Sequence, residues 1–420
     1  MIRRTLWFLT LMAGSARAVA PCAAPTWEYR SFENASLDFQ GAADANGNLY
    51  FMERKIVGST ETADLVSVST HGVPRFRVPG VLASNSSAPA YITGPMVMGS
   101  LVILLRQTDF SGPVFEPLSH AELLAFKTSS GAPAWTTSLG GSSGPGFDRT
   151  FGRPAFGNGY VVVDRKSKTP SGTTSTLVGF DLATGFFAGE VAAPDGGPLI
   201  DTAGNLYAVG ADSGTLAAFT SGGTLLYRVP VQSPPTNLSA VGEGVLVLGS
   251  GSAVRSAATG AFLFNAPTGL TSLISHGLIW TVTCTGFHLF GCEGALHLLG
   301  TRLRTGKLAW DVPIIKGAES GQRFWFSGPV ATSISTVLVA SQPDGGPATL
   351  FEVDSDGFET MACELPGTEG YDPNAMSIAG GEFVMSTESV LRGWDTGGLA
   401  LAADGWPTVF GNLGASNRAR

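Results

Sequence analysis

Charge is scarce in this sequence: only 14% of its 420 residues are Asp, Glu, Lys or Arg. A coiled coil or long helical bundle needs far more Glu, Lys and Arg at helical spacing, so both are excluded. Disorder is disfavoured too, because 44% of the chain is hydrophobic and disordered chains pair low hydrophobicity with high charge. Long apolar runs are missing. The longest, residues 6–13 (LWFLTLMA), is less than half of the ~20 residues a spanning helix requires. Positive charge is in deficit, with 25 basic against 33 acidic residues, and this repels nucleic-acid backbones. The densest basic cluster, Arg165-Lys166-Ser167-Lys168, is short and followed by Pro170 and Gly172, as in a solvated loop. Cysteine is limited to Cys22, Cys284, Cys292 and Cys363, with no two adjacent.

The N-terminus has the layout of a removable export signal: Arg3 and Arg4, the apolar run, then Ala16-Arg17-Ala18 as a small-x-small cleavage site. Residues 1–18 are therefore expected to be a signal peptide, and the mature chain periplasmic or secreted. Arg3-Arg4 before Thr5-Leu6-Trp7 loosely resembles a twin-arginine signal, which leaves the export route open. Cys22 invites a lipid anchor, but Pro21 stands where the lipid-modification motif wants a small residue. Cleavage after Ala18 leaves 22 basic and 33 acidic residues, a net charge of −11.

In an oxidising compartment four cysteines favour disulfides. Cys284 with Cys292 would cross-link two arms of one hairpin, and Cys22 with Cys363 would staple the start of the chain to its late part. A zinc site of Cys284, His288, Cys292 and His297 matches no known zinc module spacing, and oxidation would consume its thiols. No metal site is expected.

What the chain has in abundance is punctuation: 56 Gly and 25 Pro. Eight short β-rich runs, at 49–52, 101–105, 160–163, 206–209, 245–248, 278–282, 337–340 and 383–385, mostly follow Gly-type turns. Downstream of each lies a second turn closing on Gly72, Gly131, Gly185, Gly223, Gly260, Gly306, Gly357 or Gly398, spaced 37 to 59 residues apart. Four residues after six of these glycines stands a large apolar side chain: Phe76, Trp135, Tyr227, Phe264, Trp310 and Met361. Gly185 is followed by Phe186 and Phe187 instead, and Gly398 by Leu399. A strand-only period of this length predicts an all-β propeller of eight four-stranded antiparallel blades, with seven as the alternative. The turn glycine takes positive φ, and the aromatic lands on the next strand facing the neighbouring sheet. Since the last blade lacks its aromatic, Trp27-Glu28-Tyr29-Arg30-Ser31-Phe32 is expected to supply its outer strand and close the ring. One propeller domain over 19–404, with a tail at 405–420, follows.

The stretches 124–135 (LAFKTSSGAPAW) and 301–310 (TRLRTGKLAW), and less closely 180–185 (FDLATG), resemble the repeat of quinoprotein-like, or PQQ-like, propellers. Gly405-Trp406-Pro407-Thr408 resembles the Trp-Pro segment beside such repeats in exported bacterial proteins. The family includes dehydrogenases that hold a quinone and calcium, and non-enzymatic members that bind partner proteins. The dehydrogenases' adjacent-cysteine ring has no counterpart here, because seven residues separate Cys284 from Cys292. No cofactor site or catalytic set is expected. Asp354-Ser355-Asp356-Gly357 and the paired motifs Asp44-Ala45-Asn46-Gly47-Asn48 and Asp201-Thr202-Ala203-Gly204-Asn205 read as turn chemistry rather than calcium ligands. The five histidines sit in no nucleophile motif. The expected role is a monomeric, non-catalytic scaffold for other envelope or extracellular proteins, with a quinone-dependent oxidoreductase or a carbohydrate-binding propeller as alternatives. The longest insertions, at 109–120, 139–153, 166–175 and 283–294, are the expected partner surface.

Overall fold

The computed structural model describes residues 22–402, except 33–34, 86–89, 112–116, 142–147, 152–153, 170–171, 195, 211–213, 232–237, 250–252, 289–290, 316–323, 344 and 369–374. The expected signal peptide at 1–18 and the expected tail at 405–420 lie outside the described residues. The chain forms an eight-bladed β-propeller of antiparallel sheets. Blade 1 runs from inner to outer strand as Ser36–Asp38, Leu49–Val57, Thr60–Val68 and Pro74–Asn85. Blades 2 to 7 follow in order at 90–141, 148–192, 199–230, 238–264, 271–315 and 324–365. Blade 8 takes its inner three strands from 375–395 and its outer strand from Trp27–Arg30, which pairs antiparallel with Val390–Asp395. In blades 2 and 3 the inner strand is split in two. A small hairpin inserted in blade 6 reaches the inner strand of blade 7, where Cys292 pairs with Phe324.

No blade can bury its own faces, so the core lies between sheets. The hydrophobic clusters follow the junctions: one joins blades 1 and 2, one blades 2 and 3, one blades 3 and 4, and one blades 8 and 1. Strands such as Leu206–Gly210 and Glu382–Ser386 are buried along their whole length, as strands covered on both faces must be. That double covering accounts for the low charge, since few strand positions face water.

The turns that begin the second strand are built by side chains. Asp44 Oδ1 accepts the backbone N–H groups of Asn46 (2.9 Å) and Asn48 (3.0 Å), and Tyr50 donates its hydroxyl to Asp44 Oδ2 at 2.8 Å. Blade 4 repeats the device with Asp201, Asn205 and Tyr207. Burial first, then the bond to Asp44, pushes the Tyr50 phenol up to about 12, and burial with Asp201 raises Tyr207 further. Tyr29 is raised by burial and Glu53, and Tyr227 chiefly by burial. These phenols are held neutral, so their contribution is complete below pH 10.0, the unperturbed value; that of Tyr50 is lost as pH rises through about 12, and those of the other three at still higher pH. Alkaline titration at 295 nm should leave four of the seven tyrosines un-ionised until the protein unfolds above about pH 11. Ionisation of all seven near pH 10 with an unchanged circular dichroism spectrum would refute this account.

Candidate functional site

The junctions between blades hold the molecule's most regular side-chain geometry. In blades 1 to 7 the outer strand carries a bulge just after its turn: the residue two past the turn glycine is paired, the next is skipped, and the one four past is paired again. The bulge aims that fourth residue sideways, onto the turn glycine of the following blade. A methyl group added to Gly131 would collide with Phe76, to Gly185 with Trp135, to Gly260 with Tyr227, to Gly306 with Phe264 and to Gly357 with Trp310. Trp27, on the closing strand, covers Gly72 in the same way. At Gly357 the demand is double, because φ is +85° as well as the indole lying overhead. Three wedges also hydrogen-bond across the junction: Trp135 Nε1 donates to Leu182 O, Tyr227 Oη to Ala257 O and Trp310 Nε1 to Ser355 O, each at 3.0 Å.

Two junctions depart from the pattern. Between blades 7 and 8 the wedge position holds Met361, and nothing lies within 4 Å of a methyl group built on Gly398. Cys22 and Cys363 are joined there in a disulfide, packed with Met361 against the core between those blades. Between blades 3 and 4 the wedge position is Gly189, which pairs with Gly179. A slot of about 230 Å³ opens at this place, walled by Tyr160, Val162, Leu177, Val191 and Leu206, with Ser221 at the turn. Phe186 and Phe187 do not fill it. Both are exposed, and Phe187 instead lies edge-on to Phe180 at 6.2 Å.

Beside the slot runs an apolar band. Blades 3, 4 and 5 each present a pair of large apolar residues where the outer strand leaves its turn: Phe186 and Phe187, Leu225 and Leu226, Phe262 and Leu263, 45–75% exposed. Single exposed apolar residues are ordinary, but here six recur at equivalent positions on three successive blades. Of these pairs only Phe186 and Phe187 stand out in the repeat pattern, as residues displaced from the position four past Gly185. Their signal is two consecutive large apolar residues within three positions of a turn glycine, where the outer strand should show one surface-facing position.

The remaining sequence-picked residues are dispersed. Cys284 and Cys292 form the second disulfide, which removes the thiolates a zinc site would need. His71 lies near Glu382, His120 near Glu122, His276 bonds Thr332 O at 2.9 Å and His297 bonds Asp311 at 2.6 Å, in three different blades. The side chain of His288 is outside the described residues. Among the described residues no three His, Cys, Asp or Glu side chains are grouped to hold a metal ion. Hairpin turns alternate between the two ends of each blade, so the insertions at 109–120, 139–153, 166–175 and 283–294 share the end opposite the turn glycines, and many of their side chains are outside the described residues. At that end Arg54, Arg106 and Arg165 occupy the same position of the second strand in blades 1, 2 and 3 and pair with Glu61, Glu122 and Glu190. Arg54 and Arg106 also bond carbonyls of the adjoining blade, Ile92 and Val81, each at 3.1 Å.

No family model matches this sequence, and no curated protein matches it. Solved structures match the fold. The quinohemoprotein alcohol dehydrogenase from Comamonas testosteroni aligns at 10% identity over 90% of this chain and 77% of that one, with a TM-score of 0.51. Sqt1 from Chaetomium thermophilum aligns at 11% identity over 89% of this chain and 98% of that one, also at 0.51. At such identities the likeness is to the propeller fold alone.

Proposed function

We propose that this chain is an exported, quinoprotein-like propeller that works as a monomeric, non-catalytic scaffold, binding other proteins of the envelope or extracellular space. One observation carries the reading: the apolar band on blades 3 to 5, a water-exposed surface that a protein partner would cover. Two disulfides suit an oxidising compartment, and no helix is long and apolar enough to cross a membrane. The proposed partner surface is the outer wall, at the end opposite the long insertions.

Cross-linking in an envelope fraction tests this. With a photoreactive group at Phe187 or Leu226, one discrete partner should be captured, and the variant F186S/F187S/L225S/L226S should lose at least nine-tenths of its retention. Partner retention unchanged by that variant would sink the band as the binding surface. Stoichiometric binding of quinone and calcium with dye-linked alcohol oxidation would sink the scaffold role itself.

A further inference from the structure

We infer that the slot between blades 3 and 4 is a receptor for a tryptophan side chain presented by the partner protein. This deepens the scaffold reading and rests on it. The molecule supplies its own template. Six junctions are wedged by an aromatic ring from the preceding blade, and the junction between blades 7 and 8 is secured by a disulfide. Only the junction between blades 3 and 4 has neither among the described residues, although its bulge and its turn glycine are both in place.

The slot keeps the features that seat an indole elsewhere. In blades 6 and 8 the wedge sits across from a glycine, Gly300 under Trp310 and Gly393 under Trp27, and a methyl group on either would strike the indole. Blade 3 has the same bare floor at Gly179, but a methyl group there meets only the Gly189 carbonyl, at 3.7 Å. The polar partner has its counterpart too. Leu182, Ala257 and Ser355, which accept the wedge hydrogen bonds, each directly follow the residue whose carbonyl takes the turn glycine's N–H. In blade 4 Gly223 donates to Thr220 O, so the equivalent carbonyl is that of Ser221, on the slot wall.

A protein side chain fits better than a free ligand. At about 230 Å³ the slot is below the ~300–1,000 Å³ of drug-sized sites. It opens beside the apolar band, an anchor pocket with an apolar surround, which is the layout of a protein hot spot. The chain's net charge of −8 favours basic flanks on the partner.

Titration of methyl-labelled protein with acetyl-Lys-Trp-Lys-amide decides the matter. The methyl resonances of Val162, Leu177, Val191 and Leu206 should shift together, with a Kd on the order of 1 mM for so small a probe. The Phe peptide, lacking an N–H for Ser221, should bind about five-fold more weakly, and the Ala peptide should cause no shift. Gly179→Leu, which fills the slot from its floor, should weaken the Trp peptide at least ten-fold. Absence of slot shifts in the wild-type protein, or equal binding by Gly179→Leu, would overturn the inference. Shifts with free indole but not with the Trp peptide would assign the slot to a small molecule and overturn the proposed occupant. Because the titration needs no natural partner, the slot can stand while the band variant refutes the scaffold, or fall while that variant upholds it.

Discussion

Replacing Cys22 and Cys363 together by serine should lower stability more than the same change at Cys284 and Cys292. The first bridge spans 341 residues and the second 8. On the chain-entropy account, closing these loops constrains the unfolded state by about 6 and about 2.5 kcal/mol respectively. Measured losses on removing native disulfides are commonly about 2–5 kcal/mol, and the long bridge is expected at the upper end of that range and the short one at the lower. The long bridge also guards the ring closure. Cys22 donates its N–H to Glu364 O at 2.7 Å, and five residues later the chain becomes the outer strand of blade 8. There Trp27 lies over Gly393 and Gly72, its indole donates to Glu382, and Glu28 pairs with the buried Arg392 at 2.9 Å. Without the bridge this strand can peel away and expose the edge of Val390–Asp395. Urea unfolding of the two double variants under non-reducing conditions checks the order. Hydrogen exchange should show residues 390–395 losing protection in C22S/C363S but not in C284S/C292S. A larger loss from the short bridge would refute the account.

Much of this architecture is legible in the sequence because a propeller writes its geometry locally. A turn glycine and a large residue four positions on are one hairpin and one bulge, and both are short-range. The closure was legible from an unpaired element: Trp27 to Arg30 alternates like a strand yet has no hairpin partner before it, and blade 8 lacks an outer strand of its own. The pairing of Cys22 with Cys363 was less accessible, since it depends on two segments 341 residues apart meeting at the seam. The slot was the least visible. Gly189 reads as a lapse in a repeat, and Phe186 and Phe187 read as displaced wedge residues. Only the bulge register shows that both point away from the junction and leave it open. The apolar band was obscured for a related reason, since hydrophobic residues at the start of a strand look like core until their exposure is known.

Trp310→Ala should be among the most damaging single substitutions, because that indole makes four distinct contributions. It covers Gly357 of the next blade, fills the space that Gly300 leaves in its own, and lies edge-on to the fully buried Trp280 at 5.0 Å. It also donates Nε1–H to Ser355 O at 3.0 Å. Truncating a buried Trp to Ala costs about 3–5 kcal/mol, and because Trp310 keeps part of its surface in water a loss of about 3 is expected. Trp310→Phe separates the terms: the ring face remains while the hydrogen bond is lost, for about 1 kcal/mol plus the smaller ring. The damage should spread, since the blades share a core running unbroken from blade 4 to blade 7. Urea denaturation should therefore show one earlier transition rather than a separate early step for blade 6. A shift below about 1 kcal/mol for Trp310→Ala would mean that the wedge merely fills space. In that case the empty position at Gly189 would carry no stability cost and no significance as a receptor for an indole.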